Sequence, residues 1–327
     1  MVSNKIPEFK SIFKEELKNL IIFKRNCGLK YGRTNIDMCR KLDEFFTDIQ
    51  LNEKVIDYKT YDQWMQTIKT HTASTRLRYH SAIASFCDYL RINSYENIIQ
   101  PETTHIAYKS KFVPYIFNET EIEKIFKILS EDIIRNNDDV SRKYFYTLFC
   151  LFYGAGLRHM EGLKLKKDDY DYKTKTITII ESKNNVSRLI PLSDSIAYHL
   201  EKLLKEIDDG YIFYPELTRE RAKSHDYYYF HSVLKRAKIP VRYDGKRQRI
   251  HDLRHTFCVN ALKQMEDKGF DLYVSLSILS VYLGHKHLYE TEYYLRMVES
   301  EGEKVSKEAQ QYINLLYDNS EEYYNGE

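Results

Sequence analysis

Five short pieces of the chain hold residue types that together suit chemistry on a phosphate. They are Gly156-Leu157-Arg158-His159-Met160-Glu161, the turn Ser182-Lys183-Asn184, His251-Asp252-Leu253-Arg254-His255, Leu283-Gly284-His285 and Thr291-Glu292-Tyr293-Tyr294-Leu295. Each alone has an ordinary explanation, because short motifs arise often by chance. Arg158 could be a surface cation after a glycine turn, Lys183 a hairpin lysine, His285 a satisfied histidine at a glycine-stopped helix end, and Tyr294 one of 29 tyrosines. Their arrangement says more. His251 and Arg254 lie three apart at the start of a helix that Asp252 can cap, so both point to one side. Leu253, Phe257, Ala261 and Met265 are the expected buried face of that helix. Arg158 follows Gly156 at another predicted helix start, where free backbone N–H groups favour an anion. Two arginines, a lysine and two histidines at helix starts and a hairpin tip suit a trigonal phosphoryl group, whose oxygens planar guanidinium forks bind in pairs. No carboxylate set for Mg²⁺ accompanies them, so side chains alone would neutralise the charge.

The elements that must position these residues are mostly helical. Phe9, Ile12, Phe13, Leu17, Leu20 and Ile21 follow the 3.6-residue period, as do Cys39, Leu42, Phe46 and Ile49. Trp64, Met65 and Ile68 mark a third, shorter segment. A fourth begins near Ser74-Thr75 and buries Ile83, Phe86, Cys87 and Leu90. Residues 97–117 lack helical period and carry two of the six prolines, which predicts an extended linker. Asn118 with Glu121 predicts a capping box. Tyr144–Tyr153 is apolar nearly all round, a helix for the second core, stopped by Gly154 and Gly156. Thr176–Ile180 and Val186–Pro191 read as paired strands around a turn at Lys183-Asn184-Asn185. Helices are expected at 194–207, 226–237, 252–266, 275–283 and 289–298. The expected fold class is mainly α with a small antiparallel β-sheet in the catalytic domain. The expected domains are a helical one at 1–96, the linker at 97–117, the catalytic one at 118–300 and a tail at 301–327.

Composition narrows the setting. With 327 residues, 43% hydrophobic and 14% aromatic, the chain can bury a real core and is too polar to be read as a membrane protein. No stretch approaches the roughly 18 apolar residues of a spanning helix. The first twenty residues carry charges through their apolar stretch and do not read as a signal peptide. Five scattered cysteines without a C-x-x-C pair argue against a disulfide framework or zinc ribbon and fit a reducing cytoplasm. Net charge is only +2, but residues 1–112 hold 18 Lys/Arg against 13 Asp/Glu and residues 299–327 hold 2 against 8. A mildly basic body with an acidic tail permits a polyanionic partner without requiring one. Lys69, Arg76 and Arg78 lie around the start of the fourth helix. Lys235, Arg236, Lys238, Arg242, Lys246, Arg247 and Arg249 crowd just before His251. Such cations usually form a solvated face, and a groove for a duplex needs only local positive potential.

The ordered set Arg158, Lys183, His251-x-x-Arg254, His285 and Tyr294 resembles the active site of the tyrosine recombinases, the phage-integrase family. G-L-R, H-D-L-R-H-T-F and L-G-H stand almost verbatim in the family's order over about residues 119–300, and the N-terminal helices resemble its core-binding domain. The resemblance implies a two-domain, C-shaped clamp on double-stranded DNA that works without ATP, metal or other cofactor. It implies that Tyr294 attacks a phosphate to give a 3′-phosphotyrosyl link and expel a 5′-hydroxyl. Arg158 and Arg254 would hold the non-bridging oxygens, Lys183 protonate the leaving oxygen, His251 assist proton transfer at the nucleophile, and His285 donate to the phosphate. It further implies a tetramer on paired sites, with the segment near Val305–Tyr317 docking on a neighbour, and accessory or directionality factors as possible partners. Integration, excision or resolution of a mobile element, by transposition or phage chemistry, is the expected role.

Tyr289, Tyr293 and Tyr294 are neighbours, so the nucleophile has to be chosen. The family places it nine positions after the L-G-H histidine, which gives Tyr294, while Tyr293 would point about 100° away on a helix. Glu161 fits the family's R-x-x-E position and is read as holding the Arg158 turn, and His255 as an orienting residue. His285 and His287 could mimic a metal pair, but no Cys or carboxylate completes it. One departure is the longer interval from Arg254 to His285, whose extra residues are expected between helices. A type IB topoisomerase would share the chemistry, and a DNA-binding regulator could share the fold without cleaving.

Overall fold

Apolar residues at helical spacing close the first unit into four helices, α1 (Lys14–Asn26), α2 (Arg33–Asp48), α3 (Tyr58–Gln66) and α4 (Ala73–Ile92). The structure, a computed structural model, describes residues 6–102, 113–136, 139–180, 187–242, 245–285, 287–292 and 294. The core of this unit is Phe13, Leu17, Phe46, Trp64, Ile83, Phe86 and Leu90, each almost wholly buried. Trp64 stacks on Tyr79 at 4.8 Å and donates its indole N–H to the Tyr79 carbonyl at 3.0 Å, satisfying its polar edge. Helix α4 starts slightly earlier than Ser74-Thr75 suggests. Its cap is Thr72, whose Oγ1 accepts the Thr75 N–H. Lys69, Arg76 and Arg78 are all exposed there.

The chain divides into two units, Met1–Phe112 and Val113–Glu327, within the stretch that lacks helical period. Ile98 and Ile99 pack on the first core, whereas Phe117 is buried in the second. Residues 103–112 lie outside the described residues. The second unit opens with α5 (Glu119–Arg135), whose capping box is the expected one. Asn118 Oδ1 accepts the Glu121 N–H at 2.9 Å, and Glu121 Oε2 accepts the Asn118 N–H at 3.1 Å. Helix α6 (Val140–Gly154) is the buried helix, with Phe145, Leu148, Phe149 and Leu151 fully enclosed. Gly156 then takes φ +64°, and an added Cβ would meet the Phe257 ring at 2.4 Å, so only glycine makes this turn without strain.

After α7 (His159–Leu163) comes a three-stranded antiparallel sheet, β1 (Tyr170–Asp171), β2 (Thr176–Ile179) and β3 (Arg188–Pro191). Ile177 pairs with Ile190 and both face the core, while Leu189 turns outward. The two-residue β1 carries no alternation to read, and the sequence pattern missed it. Helices α8 (Asp194–Leu204), α9 (Arg219–Arg236), α10 (Ile250–Asp267), α11 (Leu272–Leu283) and α12 (Tyr289–Glu292) complete the described unit. Helix α9 starts seven residues before the expected 226, because Thr218 caps it, and the mostly polar run after Arg219 carries no apolar period although Ala222 is buried. The interval between Arg254 and His285 is filled by α10 and α11, with only residues 268–271 in the connection. The buried face of α10 also differs from the expected one. Cys258, Val259 and Leu262 pack on α11, and Phe257 and Ala261 are only partly covered. Among the described residues no helix is long and apolar enough to cross a membrane.

Candidate active site

Arg158 and Arg254 converge on one carboxylate. Glu161, the third residue of α7, reaches back to accept the Arg158 backbone N–H at 2.9 Å and its Nη1 at 2.8 Å. Arg254 Nη1 lies 3.9 Å from the same carboxylate. Arg188, at the start of β3, forms a bidentate pair with Glu161 at 2.7 and 3.1 Å. The sequence pattern singled out Glu161 and overlooked Arg188, which reads as an ordinary strand cation until the fold brings it across. Three guanidiniums around one carboxylate leave a net charge of +2 in a mostly buried cluster, which suits an anion. Burial alone would push the Glu161 carboxyl up, but hydrogen bonds and charge from Arg188 and Arg158 hold it down to about 2.

Arg254 is 1% exposed and fixed from three sides. It donates to the Gly156 carbonyl at 2.6 Å and the Leu283 carbonyl at 3.0 Å, and Nη2 meets His285 Nε2 at 3.2 Å. Burial first, then Arg158, lowers its pKa to about 10, still charged at neutral pH. Helix α10 is started by Asp252 from inside: its carboxylate accepts the Arg249 N–H at 2.8 Å and pairs with the Arg249 side chain. Gly284 ends α11 in the left-handed region, φ +64°, and turns His285 back toward Arg254. An arginine can only donate, so His285 Nε2 faces it as an acceptor and Nδ1–H is left to donate to Thr291 Oγ1 at 2.7 Å. As seated, neutral His285 is an acceptor at its inner edge. Giving a hydrogen bond to phosphate, the role implied for it, needs that proton moved or a second one added.

His251 and His255 stand one turn apart on α10, ring centroids 4.7 Å apart. Tyr294 is 3% exposed, packed with Cys258 and Leu283, and its hydroxyl meets His255 Nδ1 at 2.9 Å. Burial, then the neighbouring Cys258, raises the Tyr294 pKa well above 10, against the pull of Arg254 and Arg158. His251 and His285 are pushed down to about 3 by burial first and the nearby arginines second, and His255 to about 2 by burial first, then by His251 and the arginines. His159 reaches Asp226 of α9 at 2.8 Å, a further tie that fixes the Arg158 turn. Lys183 and Tyr293 lie outside the described residues. Of the basic run before His251, Lys246, Arg247 and Arg249 are exposed, the last paired with Asp252, but Arg236 pairs with Asp132 and Arg242 is buried. Among the described residues no group of His, Cys, Asp and Glu gathers to hold a metal ion.

The depressed groups predict acid lability. Unfolded imidazoles take up protons below about 6.5, while these three half-buried rings do not until about 3 or below. Their contribution to stability is therefore complete above about 6.5 and is lost as pH falls, at up to about 1.4 kcal/mol per ring per pH unit. Glu161 adds a second loss between 4.5 and about 2. Urea midpoints measured from pH 7.5 down to 5 should fall steeply below about 6.5. A flat profile would show that these rings are not held neutral.

Residues 116–301 match the phage integrase family. The chain belongs to that family and is a site-specific DNA recombinase, an enzyme that cleaves and rejoins DNA. It is 26% identical over 304 residues to the tyrosine recombinase XerC of Staphylococcus aureus, covering 89% of this chain and 94% of that protein. It is 27% identical over 261 residues to a tyrosine recombinase of Pseudothermotoga lettingae, covering 78% of this chain and 82% of that one. In fold it is similar to the XerH recombinase bound to its difH substrate, with TM-score 0.58, 20% identity, and 88% and 83% of the two chains covered.

Proposed function

We propose that the chain recombines paired specific DNA sites of a mobile element through a 3′-phosphotyrosyl intermediate on Tyr294. The observation that supports this most is the convergence of Arg158 and Arg254 on Glu161, with His285 on Arg254 and Tyr294 held against α10 beside them. Two guanidiniums bind the non-bridging oxygens and stabilise the charge that grows in the pentavalent transition state. His251 assists proton transfer at the nucleophile and Lys183 protonates the leaving 5′ oxygen. His285 gives a hydrogen bond to the phosphate once its tautomer changes. The bond energy stays in the adduct, and a partner strand's 5′-hydroxyl reverses the step, so neither ATP nor a metal enters.

Lys69, Arg76 and Arg78 on the first unit, and Lys246, Arg247 and Arg249 before α10, add contacts to the phosphate backbone. The active assembly is a tetramer on two sites. Its tail segment, with Val305, Ala309, Ile313 and Leu316 at helical spacing, has a suitable landing in the exposed Val274, Ile278 and Val281 of a neighbour's α11. The cytoplasm is the compartment, in keeping with five free cysteines. The test is a supercoiled plasmid carrying two copies of the DNA flanking the protein's own gene, incubated with protein in EDTA. Deletion or inversion between the copies supports the reading. Relaxation of any plasmid without exchange would replace it with a swivelling topoisomerase.

A further inference from the structure

The roles proposed above leave out His255, yet its ring touches the Tyr294 hydroxyl, at 2.9 Å through Nδ1. The two rings lie 5.5 Å apart at 48°, and His255 in turn contacts His251 edge to face. Cys258 also lies at the hydroxyl, but burial raises that thiol to about 11, so at neutral pH it is an S–H and a weak acceptor. Of these two neighbours, the imidazole is the better place for a phenol proton. His255 sits one helical turn beyond His251 and next to Arg254, so the α10 backbone holds it in fixed relation to the guanidinium that grips the phosphate.

Resting on the reading of Tyr294 as nucleophile, we propose that His255 is a further catalytic residue whose Nδ1 takes the Tyr294 proton as Oη bonds to phosphorus. The step balances without a co-reactant. The Oη–P bond forms and the P–O5′ bond breaks; the phenol proton passes to His255 Nδ1, and the leaving 5′ oxygen receives a different proton from its own acid. On rejoining, the incoming 5′-hydroxyl attacks phosphorus, and His255 returns its proton to the departing Oη.

Charge makes this transfer conditional on DNA. Before a phosphate arrives, Arg158, Arg188 and Arg254 outnumber Glu161, so a proton on His255 would add one more cation to a positive, buried cluster. A seated phosphodiester brings one negative charge and the pentavalent state a second, which offset that penalty. The phenol therefore stays protonated and stowed in the free protein and loses its proton only when a phosphate is gripped.

The test is single-turnover cleavage of a nicked DNA site by the full chain, comparing wild type with His255→Ala and His255→Asn. Asn keeps an acceptor near the Nδ1 position but cannot carry the proton, and its smaller change guards against misfolding of the Ala variant. Both should bind DNA as wild type does and cleave about 10²-fold or more slowly, the usual contribution of a positioned base. Free imidazole should recover part of the His255→Ala rate. A bridging 5′-phosphorothiolate, which spares the leaving group its acid, should leave both variants slow, because the lost group acts on the nucleophile. Wild-type rates in His255→Ala, or full recovery in His255→Asn, would overturn the proposal. If wild type itself forms no adduct, it is the assignment of Tyr294 that fails.

Discussion

Tyr294→Phe should abolish the covalent protein–DNA adduct while leaving DNA binding and folding nearly intact. Phenylalanine fills the same space in the cluster with Cys258, Leu276 and Leu283, so the packing that buries Tyr294 is kept. The variant loses one hydroxyl that bonds His255, worth about 1 kcal/mol. Cleavage should fall by about 10⁴ or more, the scale on which covalent catalysts lose activity with their nucleophile. Gel-shift affinity and a detergent-stable adduct assay on the same nicked DNA check both halves. A Phe variant that still forms adduct would move the nucleophile to another tyrosine.

The second large effect belongs to Arg254. Its guanidinium spans the Gly156 carbonyl on one side, the Leu283 carbonyl on another and His285 on a third. Lysine keeps the charge but offers one point instead of a planar fork, so it cannot serve these partners and two phosphate oxygens together. Arg254→Lys should therefore fold, with a loss of roughly 1–3 kcal/mol from an under-served buried carbonyl. Cleavage should slow by about 10²–10³, as when one preorganised donor to a developing oxyanion is removed. Alanine would confound the two effects, because it also removes a buried charge from beside Arg158. Single-turnover rates and urea midpoints on Arg254→Lys separate them, and an unimpaired rate would place the phosphate elsewhere.

Much of the second unit was legible because its punctuation is chemical. Asn118 and Glu121 announce their helix through the residues that satisfy its first N–H groups, and Gly156 and Gly284 mark turns that only a residue without Cβ makes freely. The uniformly apolar run from Tyr144 reads as a core helix because nothing polar interrupts it. The misses have a common cause. β1 is two residues long, too short to show alternation, and exists through its pairing with Thr176 and Ile177. Helix α9 begins in a polar stretch that carries no apolar period. Arg188 and Thr291 acquire meaning only when a chain reversal sets them against Glu161 and His285. Sequence spacing places His255 beside His251 but cannot say which of its nitrogens faces a tyrosine 39 positions on. Order along the chain singled out the candidate set; the supporting arginine and the contact with the proposed nucleophile needed the fold.

The most direct measurement is the chemical identity of the DNA adduct. Protein mixed with nicked fragments from the flanks of its own gene, in EDTA, would be quenched in detergent, digested with nuclease and mapped by mass spectrometry. A nucleotide carried on Tyr294 through its 3′ phosphate is the predicted result. A nucleotide on Tyr293, or no adduct despite tight binding to the same DNA, would contradict it.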